Sequence, residues 1–215
     1  MVCELREEPM NKKVAIMETV KLLARAVAAI LVIPFLLSYW VRSACVGKDR
    51  AFFSSSQMFA LFPGLPGQYL RRAFYVRTME SFHPTAVVEF GTLFSRQGTR
   101  LAENVYIGPM CHIGLVDIEP DVLVASNVSI PSGPKTHGTA DVDRPIRGQP
   151  GVLQRVRIGT GAWIGLSAIV MADVGARTVV ASGAIVTRPL PADVVAGGVP
   201  AEVIKKRESS TETTV

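Results

Sequence analysis

The chain is poor in cysteine, in histidine and in charge. Its three cysteines (Cys3, Cys45, Cys111) form no CxxC pair and are odd in number. That argues against a disulfide framework and a structural zinc site, and reads as a reduced, cytosolic setting. Three histidines (His83, His112, His137) leave few groups that titrate near neutrality. Charged residues make up 19% of the 215 and hydrophobic ones 48%, which excludes a disordered chain and suits one domain plus an appendage. No charge falls between Arg25 and Arg42, and helix formers at helical spacing are missing throughout 88–190.

What charge there is lies unevenly. Residues 1–80 carry 11 Lys/Arg against 6 Asp/Glu, and residues 81–215 carry 12 against 12, so the net +5 sits wholly in the first part. Eleven of 15 aromatic residues occur at or before Phe82, whereas 15 of 18 glycines follow position 90. The chain therefore divides into an N-terminal region (1–80), a glycine-punctuated domain (81–207) and a polar tail (208–215) expected to be disordered.

Within the first region, residues 26–41 read AVAAILVIPFLLSYWV. A helix of that length is about 24 Å long, short of a hydrocarbon core of about 30 Å. Pro34 favours a kink, and Tyr39 and Trp40 suit a membrane–water interface. Basic residues flank both ends: Lys12, Lys13, Lys21 and Arg25 before, Arg42, Lys48 and Arg50 after. A simple spanning helix prefers them on one side. The expectation is a kinked or shallow membrane-associated segment with both ends facing the cytoplasm; a buried core helix is the competing reading. A secretory signal is disfavoured, because no A-x-A site follows and Arg42 stands where a lipoprotein site at Cys45 needs an aliphatic residue. Residues 52–77 mix Phe52, Phe53, Phe59, Phe62, Tyr69, Phe74 and Tyr75 with Arg71, Arg72 and Arg77 around two Pro-Gly turns. They read as an interfacial amphipathic element drawn to anionic lipid. No RNP or helix-turn-helix pattern supports nucleic-acid binding.

The second region has a period near six. Ile107, Ile113, Ile118, Val124 and Ile130 recur, then Ile158, Ile164 and Val170, then Val180 and Val186. Such a period describes a short strand and a turn repeated, three to a coil, in a triangular solenoid with the aliphatic residues inward. Val180 follows Val170 by ten residues where twelve would be regular, so one turn is shortened by two. The interruption at 131–155 is long for a compact solenoid and reads as a functional loop. It holds His137, between Thr136 and Gly138, whose imidazole could take a proton from an acceptor hydroxyl.

These segments (VYIGPMCHIGLVDI, LVASNVSIPSG, THGTADVDRPIRGQPGV, VRIGTGAWIGLSAIVMADVG and VVAGGVPAEVIKK) resemble the hexapeptide-repeat acyltransferases, and among them the polysaccharide and sugar O-acetyltransferases. The likeness covers residues 83–207, with Trp163-Ile164-Gly165 and Gly198-Val199-Pro200-Ala201 its most specific motifs. It implies a mainly β fold, a left-handed parallel β-helix carrying an N-terminal hydrophobic helical segment. It further implies acetyl-CoA as co-substrate, no metal, a homotrimer with the active site between neighbours, and a loop histidine as general base, which is His137 here. Gly165, Ser182, Thr187, Arg188, Lys205 and Lys206, with Arg207, match the stretches that hold CoA. The implied reaction is O-acetylation of a saccharide, an intermediate of a surface polysaccharide, at the cytoplasmic face of the membrane where acetyl-CoA is found. Rival readings are transfer to an amino sugar or to a small molecule such as serine or an antibiotic, and a non-catalytic membrane scaffold. A three-histidine zinc site of the γ-class carbonic anhydrase kind needs a close His pair, and the separations here are 29 and 25. His83 is expected to begin the solenoid, His112 to serve a turn or packing with the acceptor cleft as its alternative, Cys111 to pack, and Asp141 and Asp143 to cap turns.

Overall fold

Four helices lie over the first coil of a three-sided parallel solenoid in the computed structural model, which describes residues 12–208. Residues 1–11, with Cys3, and the tail beyond Glu208 are outside the described residues. Helix α1 (Lys12–Leu31) meets α2 (Ile33–Val46) in a 43° bend. The bend falls at Val32, and Pro34 sits in the first turn of α2, where no amide donor is needed. The expected kink is therefore present, and the same proline opens the second helix. Helices α3 (Lys48–Ala60) and α4 (Gly64–Thr78) follow. No single described helix is long and apolar enough to cross a membrane, although the bent pair α1–α2 is by length and composition.

Four of the seven aromatic residues of 52–77 depart from the interfacial expectation. Phe52, Phe59, Phe74 and Tyr75 are at most 1% exposed. They stack on one another and on the first coil, with ring centroids 4.5 Å apart for Phe59–Phe74 and 5.1 Å for Tyr75–Phe94. The physical reason is the open end of a solenoid, whose first coil has no predecessor and needs a cover. Arg71, counted above among lipid-seeking arginines, is also fully buried. Its Nε donates to the Val88 carbonyl (2.9 Å), and its Nη1 to those of Phe62 (2.6 Å) and Phe59 (3.2 Å). One side chain thereby satisfies the end of α3 and ties it to the first coil. Gly67 is required beside it, since a Cβ there would lie 1.9 Å from the Phe62 oxygen. The Ser56 hydroxyl accepts the Phe94 amide (2.8 Å) and lies 3.1 Å from the Tyr75 hydroxyl, which burial pushes up to about 12.

From Ser81 the chain winds through about six coils of short strands. On the first face Phe82, Leu101, Ile118, Ile158, Val174 and Leu190 stack in parallel register. On the second the stack is Val88, Ile107, Val124, Ile164, Val180 and Ala196. On the third it is Phe94, Ile113, Ile130, Val170 and Val186. All are buried, so the six-residue period is the inward rhythm of the coil. The shortening by two occurs twice, after Val170 and again after Val186, where Val174 and Leu190 keep the first-face stack through isolated bridges. Asn104, Asp121 and Asn127 turn corners with positive φ, a conformation those residue types tolerate.

Residues next to the inward positions point out, and each face has its own chemistry. The first face carries Arg100, Asp117 and Arg157. The second carries an apolar row, Val87, Tyr106, Leu123, Trp163, Val179 and Val195, with Leu123 and Trp163 each 51% exposed. The third carries Leu93, His112, Ser129, Ile169 and Ile185. A last strand, Glu202–Lys206, runs antiparallel against Val194–Gly197.

Candidate active site

The loop of 131–155 leaves the third face after Ile130 and returns to the first face at Val156. Its base is closed by the Ser132 carbonyl, which accepts the Gln154 amide (2.9 Å), while the Ser132 hydroxyl accepts the Leu115 amide (2.9 Å). Farther out the Val152 amide donates to the Lys135 carbonyl (2.7 Å). Gln149 organises the tip: its Nε2 donates to the carbonyls of Asp141 (2.7 Å) and Arg144 (2.9 Å), and its Oε1 accepts the Asp141 amide (3.1 Å). The Asp141 carboxylate accepts the Asp143 amide (3.0 Å), a turn cap of the expected kind for Asp141. On the return limb Arg155 pairs with Asp117 (2.6 Å) and Glu80 (3.0 Å) and donates to the Gly98 carbonyl (2.7 Å). Arg100 bonds the same two acids, and hydrogen bonds from Arg100 and then Arg155 hold the Glu80 carboxyl below its ordinary range.

Between this loop and the third face lies a cleft of about 310 Å³ lined by His112, Ser129, Thr136, Leu153 and Ile169. Through Ser95, Arg96 and Leu153 it shares walls with a larger groove, about 830 Å³, that reaches the start of α3. There Asp49 accepts from Arg96 (3.0 Å) and from the Gln97 amide (3.0 Å), fixing the helical wall against the coil. His137 follows Thr136 directly and its side chain is exposed.

His112 takes its alternative reading, facing the cleft, and not the turn or packing role. It points outward on the third face, exposed, with its ring 6.2 Å from Phe53, and it lines the cleft. The readable signal was its place immediately before the inward Ile113, which aims it at the face the loop crosses. Gln149, Leu153 and Arg96 join the site as well, and nothing in the repeat pattern marks them. Cys111 packs as expected: its thiol is buried, lies 3.1 Å from the Ala125 carbonyl, and burial pushes its pKa up. His83 accepts the Thr85 amide through Nδ1 (3.3 Å) at the start of the first coil.

The cofactor candidates fall in three places. Thr187 and Arg188, both exposed, follow Ile185–Val186, the last rung of the third face. That rung is two from the one where the loop departs, which sets them about 10 Å along the same face. Gly165 and Ser182 meet at the corner between the second and third faces, where a Cβ on Gly165 would lie 2.6 Å from the Ser182 amide nitrogen. Coil stacking alone therefore demands glycine at 165. Lys205 and Lys206 lie on the antiparallel strand at the end of the second face, away from the loop's face. Among the described residues no three His, Cys, Asp or Glu side chains are grouped to hold a metal ion.

No protein-family model matches the chain. Over 169 residues it is 27% identical to the galactoside O-acetyltransferase of Escherichia coli, covering 66% of this chain and 81% of that protein. In structure it matches a hexapeptide-repeat-containing acetyltransferase of Vibrio cholerae with a TM-score of 0.62, at 18% identity, over 75% of this chain and 94% of that one. The chain is thus similar to proteins named as galactoside and hexapeptide-repeat acetyltransferases. A galactoside acetyltransferase in complex with coenzyme A also aligns, with a TM-score of 0.51 at 20% identity over 75% and 82% of the two chains. Those structures share its fold, and its coil is accordingly the left-handed parallel β-helix.

Proposed function

We propose that the protein transfers an acetyl group from acetyl-CoA to a hydroxyl of a saccharide, with His137 as general base. The observation that carries this reading is the loop crossing the third face, which sets Thr136, the neighbour of His137, and His112 around one cleft. The relative named for galactoside O-acetylation and the neighbour solved with coenzyme A supply the chemistry this cleft would serve. His137 takes the proton as the acceptor oxygen attacks the thioester carbonyl. The tetrahedral oxyanion then collapses, the C–S bond breaks and CoA leaves as its thiolate, so no acyl-enzyme is needed. Thr187 and Arg188, on the loop's face, are the CoA contacts this geometry favours; Arg188 suits the phosphates.

An exposed base works poorly in bulk water. The partly exposed apolar row Val87–Val195 on the second face, with Leu123 and Trp163 at its middle, supports a homotrimer in which a neighbouring chain covers the His137 loop. The exposed apolar surface of α1 and α2 supports association with a membrane, and acetyl-CoA requires the solenoid on its cytoplasmic side. A membrane-linked surface polysaccharide intermediate is the acceptor class this arrangement fits. His137→Ala should lower acetyl transfer to a saccharide by about 100-fold or more while the protein stays folded and assembled. Release of free CoA thiol measures it, and full activity in the variant would sink the assignment.

A further inference from the structure

Arg96, Arg100, Arg155, Arg157 and Arg177 all have carboxylate partners. On the helical layer the pattern is different. Arg25 of α1 and Arg72 and Arg77 of α4 line a pocket of about 180 Å³ together with Tyr69 and Pro84. Among the described residues none of the three forms an ion pair. Arg77 donates to the Ala73 carbonyl (2.7 Å), and the Arg72 guanidinium lies 5.8 Å from the Tyr69 ring centroid. Burial, and after it the charge of Arg25, depresses the Arg72 pKa, a sign of crowded cations; Glu18, whose carboxylate feels Arg25, is paired with Lys21. Three guanidinium forks around one pocket fit a phosphate group.

A second feature adjoins the first. Between α1 and α4 runs an apolar groove of about 440 Å³ lined by Val20, Leu23, Val27, Leu31 and Leu65, all exposed, and Tyr69 lines both groove and pocket. A free phosphate or a nucleic-acid backbone has no use for such a groove; a phospholipid uses both.

We infer that Arg25, Arg72 and Arg77 bind the phosphate headgroup of an anionic phospholipid whose acyl chain lies along the groove between α1 and α4. This rests on the membrane association proposed above and gives it an address. A lipid held by both helices keeps α1 packed on α4 at the bilayer surface.

The test is co-sedimentation of the full-length protein with phosphatidylcholine vesicles, with and without phosphatidylglycerol. The wild type should prefer the anionic vesicles. The triple variant Arg25→Gln, Arg72→Gln, Arg77→Gln should lose that preference, at about fivefold per arginine, while binding neutral vesicles and transferring acetyl groups as before. A variant that keeps the preference overturns the site and leaves membrane association standing. A wild type that binds no vesicle overturns both. Full preference in the triple Arg→Lys variant assigns the effect to charge alone and overturns the guanidinium site. Release of the wild type by millimolar inorganic phosphate at constant ionic strength overturns the lipid as occupant. A photoreactive phosphatidylglycerol applied to the unaltered protein requires no folded variant. Crosslinks within residues 20–31 and 65–77 support the site, and crosslinks confined elsewhere overturn it.

Discussion

In the solenoid Ile107 rests on Val124 much as Ile158 rests on Val174, and no single contact is unique. In the helical layer nothing repeats. Aromatic rings meet at several angles, and the joint with the coil hangs on buried polar atoms, the Arg71 guanidinium and the Ser56 hydroxyl. The repeating part distributes its stability over equivalent neighbours, while the capping part concentrates it in a few residues that cannot be exchanged. Substitutions should expose that difference.

The largest effect is expected at Arg71. Arg71→Met strands the carbonyls of Val88, Phe59 and Phe62, and should destabilise the protein by about 4 kcal/mol. Chemical denaturation gives the magnitude, and hydrogen exchange should show α3 and α4 opening while the later coils stay protected. Equal loss of protection along the whole solenoid would break the distinction between cap and coil. Ile164→Ala should cost about 3 kcal/mol, with lost protection centred on its stacked neighbours Val124 and Val180. Gln149→Ala should cost about 1–2 kcal/mol locally by freeing the tip of the His137 loop. Its expected signature is lower acetyl transfer with an unchanged melting temperature.

The smallest effect is electrostatic. Arg100 and Arg155 hold Glu80 below its ordinary value of 4.5 in the folded protein. A carboxyl with a depressed folded-state pKa contributes its full stability above the unfolded value and loses it as pH falls through the folded one. Urea midpoints should therefore be flat near neutrality and fall in acid, and Glu80→Gln should reduce the acid slope. An unchanged slope would separate the loop's return limb from this ion-pair group.

The coil was legible because its spacing is its structure: each aliphatic residue in the period of six is an inward residue, and the same count sends His112 outward. The missing two residues were legible too, though not that Val174 and Leu190 would each take up such a gap. The helical layer was read wrongly where chemistry has two meanings. Phe52, Phe59 and Phe74 beside arginines suit a lipid interface or a core, and composition does not record that the first coil needs a cover. A buried Arg71 looks like an exposed one in sequence, because its partners are backbone carbonyls from 59, 62 and 88. Gln149 escaped notice for the same reason: its partners are main-chain atoms within its own loop.

Ile118 and Ile158 are stacked neighbours although 40 positions separate them, against 16 between Ile158 and Val174. The excursion that carries His137 is thus spliced between two rungs without disturbing either. Its length and composition can drift while the coil beneath keeps its alignment. Under the function proposed above, a new acceptor would need only that one loop rewritten, with the architecture inherited unchanged.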